Sequence, residues 1–143
     1  LGIPAEPLFR SRDWHVPSNA EWSQLKSYVS MHNEFVCSGV ANYCAKALAD
    51  SIGWNESWET CSPGNDPHKN NATGLSLRPS GGFYPPEIVT NAGNTADYWT
   101  STSVGDTGVN AHARIYRILH SSATLNNTMA FQSSALPVRC VRD

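Results

Sequence analysis

Trp14-His15-Val16-Pro17-Ser18-Asn19-Ala20-Glu21-Trp22 decides how the rest of the chain is read. Ser18 followed three residues later by Glu21 is a capping box: the serine hydroxyl accepts from the amide of Glu21, and the glutamate reaches back to the amide of Ser18. Pro17 precedes the cap and Trp22 falls at the fourth helical position, which predicts a hydrophobic staple fixing the entry of the chain. From there Trp22, Leu25, Val29 and Val36 fall near one face of a period of about 3.6 residues. Lys26, Ser30 and Asn33 fall on other faces. The pattern predicts an amphipathic helix from Ser18 to about Asn33, with Glu21 as a cap rather than a catalytic acid. Trp14 and Trp22 are expected to anchor the core.

Outward from that helix, Phe35-Val36-Cys37-Ser38-Gly39 reads as a break and Val40 to Asp50 as a second helix ended by Gly53. Residues 1–13 carry little pattern and read as an extended arm or a first strand. From Trp54 to about Asn110 the periodicity fades. Turn formers recur there, notably Ser62-Pro63-Gly64-Asn65-Asp66-Pro67 and Asn91-Ala92-Gly93-Asn94. A loop-rich stretch of this length inside one domain usually carries function. Short strands are expected at Leu75-Ser76-Leu77 and Tyr98-Trp99-Thr100. The tail, with strands at Ala111–Leu119, Thr128–Gln132 and Leu136–Arg142, is expected to form an antiparallel meander. The fold class is therefore α+β: two helices packed on a small antiparallel sheet, with a long loop-rich region, in one domain spanning residues 1–143.

Composition narrows the function classes. The net charge is −2 and the basic residues are not clustered, so nucleic acid has no electrostatic footprint here. No apolar run reaches the length of a membrane span. The first seven residues lack the basic start and apolar stretch of a signal peptide, and read as an internal cut or a mature start. Charged residues are sparse, whereas Ser, Thr, Asn and Gly are abundant and tryptophan and tyrosine number five each. That balance suits a secreted module whose surface hydrogen-bonds neutral polar ligands. Four cysteines, Cys37, Cys44, Cys61 and Cys140, allow three pairings. No C-x-x-C pair marks a zinc site. An even count in an exported chain favours at least one bridge. Cys140 is placed in the last strand.

Several of these stretches together resemble the Fibrobacter succinogenes major paralogous domain family. Trp14 to Trp22 is similar to its G-W-x-[VL]-P-[ST]-x-x-E-W opening, with Asp13 in place of the glycine. Asn71-Ala72-Thr73-Gly74-Leu75-Ser76-Leu77-Arg78-Pro79 resembles its N-x-T-G-F-x-x-x-P segment, with Leu75 for the phenylalanine, and Gly81-Gly82 matches the glycines that follow. Tyr98-Trp99-Thr100-Ser101-Thr102, Ala113 to Leu119 and Val138-Arg139-Cys140-Val141-Arg142-Asp143 resemble its later strands. The family's upstream C-P-x-G-W lead is altered or absent, unless its first strand falls at Pro7–Arg10. The resemblance implies a C-type-lectin-like fold, related to the formylglycine-generating sulfatase-modifying fold. It also implies an exported bacterial protein, often a cell-surface lipoprotein. It implies no general activity.

Three functions compete. The first is a non-catalytic recognition module for a glycan or a surface protein, acting through the loops. Trp54, Trp58, Tyr84 and Tyr98 offer aromatic faces for stacking on sugar rings. The expected ligand-facing residues are Trp58, Asp66, Tyr84, Asp97, Tyr98 and Asp106, while Trp54 and Trp99 also read as core plugs. No cofactor is expected. A calcium ion is the one candidate metal, with Asp97, Asp106, Asn94 and Asn110 as converging oxygens. The Glu-Pro-Asn and Trp-Asn-Asp motifs of sugar-binding lectins are absent, and Pro86-Glu87 does not replace them. The second function is a structural or assembly module. The third is an enzyme of the formylglycine-generating type, which works through a cysteine and a metal. It needs an exposed, electropositive thiol, whereas each cysteine here reads as a disulfide or a packed thiol. The histidines His15, His32, His68, His112 and His120 are scattered and read as surface residues.

Overall fold

The computed structural model describes residues 13–86, 90–105, 108 and 111–143. Residues 1–12 of the expected arm at 1–13, including Pro7–Arg10, lie outside the described residues, as do Glu87, Asp106 and Asn110. The elements are β1 (Trp14–His15), α1 (Asn19–Met31), α2 (Ala45–Leu48), β2 (Thr95–Val104), β3 (His112–Leu119), β4 (Leu125–Phe131) and β5 (Val141–Arg142). The result is a mixed α/β chain with two small antiparallel sheets, β2-β3-β4 and β1-β5.

The capping box forms as the sequence predicts. The Ser18 hydroxyl accepts from the Glu21 amide at 3.2 Å, and the Glu21 carboxylate accepts from the Ser18 amide at 2.8 Å. Pro17 and Trp22 line one small apolar crevice with Leu25 and Val141, consistent with the staple. The Pro17 carbonyl accepts from the Ser101 amide and the Thr102 hydroxyl accepts from the Asn19 amide, so the helix start is tied to β2. Trp22 then lies on Tyr116, with ring centroids 5.3 Å apart and nearly parallel planes, and tilts against Tyr98. Tyr98 and Tyr116 are cross-strand partners. This aromatic triad joins Val29, Leu48, Leu77, Ile118 and Leu125 in the core. Trp14 departs from expectation. It is 48% exposed, because β1 pairs at the rim with Arg142 rather than packing inward.

Four other expectations need correction. The helix ends at Met31, so Val36 lies beyond it. The second helix shrinks to Ala45–Leu48, and Val40 is exposed. Residues Cys37–Gly39 form a short 3-10 turn in which Ser38 and Gly39 have φ of 55° and 69°, a left-handed backbone that a helix cannot continue through. The meander also has a different composition. Thr95–Val104 supplies a full ten-residue strand, far longer than Tyr98–Thr100, and the last strand leaves the sheet to pair with β1. Leu75–Leu77 contributes only a single bridge, from Leu77 to Ala49.

His15 is not a plain surface histidine. Its imidazole lies between Glu21 and Asp143, at 2.6 Å from each carboxylate. The hydrogen bond to Glu21, then that to Asp143, raises its pKa above the ordinary 6.5. The Ser18 amide, then the Ser18 hydroxyl, then His15 lower Glu21 below the ordinary 4.5. The stability from His15 is complete below the unfolded histidine pKa and is lost as pH rises through the raised value. That from Glu21 is complete above the unfolded glutamate pKa and is lost as pH falls through the lowered value. The gap in melting temperature between the wild type and His15→Gln is therefore expected to be widest between pH 4.5 and 6.5 and to close in alkaline buffer. Thermal melts across that range check it, and a gap that widens above pH 8 (about one and a half units past the ordinary histidine value) would refute it.

Candidate functional site

Between α2 and β2 the chain makes a long excursion whose backbone is held by hydrogen bonds to the sheet's end. The Asn55 amide donates to Gly93, the Ser57 amide to Gly64, and the Gly64 amide to His120 at the end of β3, all at 2.9–3.1 Å. Asn65 reaches back through its side-chain amide to the Ser57 carbonyl, and Asn55 to the Asn94 side chain. Gly64 is required by crowding: a Cβ there would lie 2.4 Å from the Asn55 carbonyl and 2.8 Å from that of His120. The Cys37–Cys61 disulfide ties the same loop to the turn after α1.

On this pinned loop Trp58 is 95% exposed. It borders a concavity of about 400 Å3 lined also by Glu56, Ser57, Gly64, Asn65, Asp66 and His68. Asp66 adopts a left-handed backbone and pairs with Lys69 at 2.8 Å. That hydrogen bond holds the Asp66 carboxyl below the usual range and raises Lys69. Trp58 and Asp66, predicted separately, therefore border one hollow.

The remaining expected site residues lie elsewhere. Tyr98 is not a ligand face: it is buried beneath Trp22, and its hydroxyl accepts from the Arg78 amide. Asp97 is fully buried on the opposite side of β2. Its carboxylate receives two bonds from Arg117, at 2.6 and 3.0 Å, one from Thr95 and one from the Tyr84 phenol. Tyr84 is thus half-buried and committed to an internal network, and burial, then Asp97, push its phenol up to about 12. Of the four candidate calcium oxygens, the two that are described are engaged elsewhere. Asp97 is consumed by Arg117, Asn94 is bonded to Asn55, and Asp106 and Asn110 lie outside the described residues. Among the described residues no group of three or more His, Cys, Asp or Glu is placed to hold a metal. Trp54 is a core plug, its indole donating to the Asp50 carbonyl, whereas Trp99 is only partly covered. Cys44 is buried and Cys140 is exposed, not held in a core strand.

A family model described as the Fibrobacter succinogenes major domain matches residues 12–142. The chain belongs to that family. No curated protein and no solved structure matches it. In this Fibrobacter succinogenes major domain the matched region takes in β1 through β5 and the whole Trp58 loop. Among its described residues no helix is long and apolar enough to cross a membrane.

Sequence reasoning missed Lys46, whose ammonium donates to the carbonyls of Ser62, Asn65 and Asp66 in the loop that carries Trp58. It also missed Arg117 as the partner of Asp97. Arg117 stands directly across from Asp97 in the β2–β3 ladder. An arginine on one strand facing a lone aspartate on the next was the available signal, once the register was known.

Proposed function

We propose that this chain is a non-catalytic recognition module of an exported bacterial surface protein, with a C-type-lectin-like fold, and that it binds glycan by stacking a pyranose ring on Trp58. The observation that carries the reading is the nearly complete exposure of Trp58 on a loop fixed by a disulfide and a ladder of backbone bonds. A tryptophan left in water forgoes about 4–6 kcal/mol of burial. Holding it there on a rigid loop means that a partner meets it without first ordering the loop. Ser57, Asn65 and His68 supply hydrogen-bonding groups around the ring. Glu56 and Asp66 on the rim favour a neutral or amino-bearing sugar over an anionic one. The disulfide suits an oxidising compartment outside the cytoplasm.

A glycan array, run with and without chelator and followed by calorimetry on the hits, tests this. Trp58→Ala is expected to weaken binding more than about tenfold, the loss of roughly 1.4 kcal/mol of contact. The same variant is expected to leave stability within about 0.5 kcal/mol, since the side chain is exposed. An array blank under both conditions, or unchanged affinity in the variant, would remove the reading.

A further inference from the structure

Lys46 is rooted in the core and ends in the loop. Its neighbours Ala45, Ala47 and Leu48 on α2 are buried, and its own carbonyl accepts from the Asn71 amide at 2.8 Å. From that fixed base the side chain runs under the Trp58 loop. Its ammonium donates to the carbonyls of Ser62 at 3.3 Å and Asp66 at 3.1 Å, and to that of Asn65. Three carbonyl oxygens converge on one point from a single turn of chain. Without a cation among them, their aligned dipoles would repel and push the turn open. An ammonium has three protons and no acceptor, so its capacity matches the three oxygens. Burial pushes its pKa down, and the nearby Asp66 charge pulls the other way. Asn65 and Asp66 line the same hollow as Trp58.

We propose that Lys46 is the positioning residue of the Trp58 hollow. Its ammonium is a built-in cation that gathers the Ser62, Asn65 and Asp66 carbonyls, and the cage left by removing it takes a small alkylammonium ion. The inference rests on the geometry of the hollow and not on what the hollow binds, so it stands or falls apart from the glycan reading.

The test is site-resolved amide exchange on the full chain, in Lys46→Ala and Lys46→Met. The Asn65 amide donates to Ser62 and the Lys69 amide to Asp66, so both report on the caged turn. Each variant is expected to exchange at least about tenfold faster at these two amides, the loss of bonds to a charged group. Ile115 and Ile118 in β3 are expected to keep their protection. In Lys46→Ala the stem is gone and a channel is open, so millimolar propylammonium is expected to restore protection where sodium chloride at equal ionic strength does not. In Lys46→Met the stem fills the channel, and the amine is expected to have no effect. Wild-type exchange in both variants would overturn the proposal. So would an amine no better than sodium chloride in Lys46→Ala. Faster exchange throughout β3 would overturn it too, because Lys46 would then be holding the domain rather than the loop.

Discussion

Replacing Arg117 with methionine is expected to cost about 3–5 kcal/mol of unfolding free energy, because it leaves a buried carboxylate without its counter-charge. Asp97 has no exposed surface, and Arg117 clasps it with two nitrogens at 2.6 and 3.0 Å. The Tyr84 phenol stays protonated, its pKa raised to about 12, and continues to donate to Asp97. One phenol and the Thr95 hydroxyl cannot replace a cation. The partners come from separate places: Asp97 from β2, Arg117 from β3 and Tyr84 from the excursion. Loss of the arginine therefore loosens the covering segment as well as the ladder. The double variant Asp97→Asn with Arg117→Met is expected to be more stable than Arg117→Met alone, since no uncompensated charge remains buried. Urea unfolding of the three proteins measures both effects. A loss below about 1 kcal/mol in Arg117→Met would mean that the pair behaves as a surface ion pair.

Removing the Cys37–Cys61 bridge, through alanine at both positions, is expected to cost roughly 3 kcal/mol. The bridge closes a loop with a sequence separation of 24, and loop-closure entropy in the unfolded chain scales slowly with that length. The bridge also joins the turn after α1 to the Trp58 loop, so the glycan affinity proposed for that loop is expected to fall together with stability. Cys140→Ser provides the contrast. That thiol is free and exposed, and its replacement is expected to change stability by less than about 0.5 kcal/mol. Denaturation of the oxidised, reduced and substituted proteins separates these effects. A double-alanine protein as stable as the parent would show that the unfolded chain is already confined without the bridge.

These elements differ in how far the sequence reveals them. The capping box and α1 were legible because every signal was local: a serine, a glutamate three residues on, and apolar residues at helical spacing. β2 was not. Thr95-Ala96-Asp97-Tyr98-Trp99-Thr100-Ser101-Thr102-Ser103-Val104 is covered on both faces over its first half, so it lacks the polar alternation that marks a half-buried strand. The partner of the last strand was misjudged for a related reason, since Val141 and Arg142 carry no mark of whether they continue a meander or return to Trp14. Trp58 and Asp66 were readable as loop residues of suitable chemistry. Tyr98 and Asp97 had the same chemistry and lie inside. What separates them from the loop pair is that both faces of β2 are covered there: Tyr98 turns toward α1, Asp97 turns away, and both are buried. Lys46 left no trace at all. Its partners are backbone carbonyls, and a sequence does not say where carbonyls point.

The antiparallel clasp of β1 with β5 has a mechanical consequence. Trp14 pairs with Arg142, His15 with Val141, and the Asp143 amide donates to the Asp13 carbonyl. A pull that separates residues 13 and 143 loads these bonds one after another, as a zipper opens from its tab, and not side by side. The first rungs to part carry His15 away from Glu21 and bare the start of α1, whereas the Trp58 loop is fastened by its disulfide and by bonds to Gly93 and His120, none of which belongs to that seam. Under tension the domain is built to peel from its ends while its outward-facing tryptophan keeps its footing.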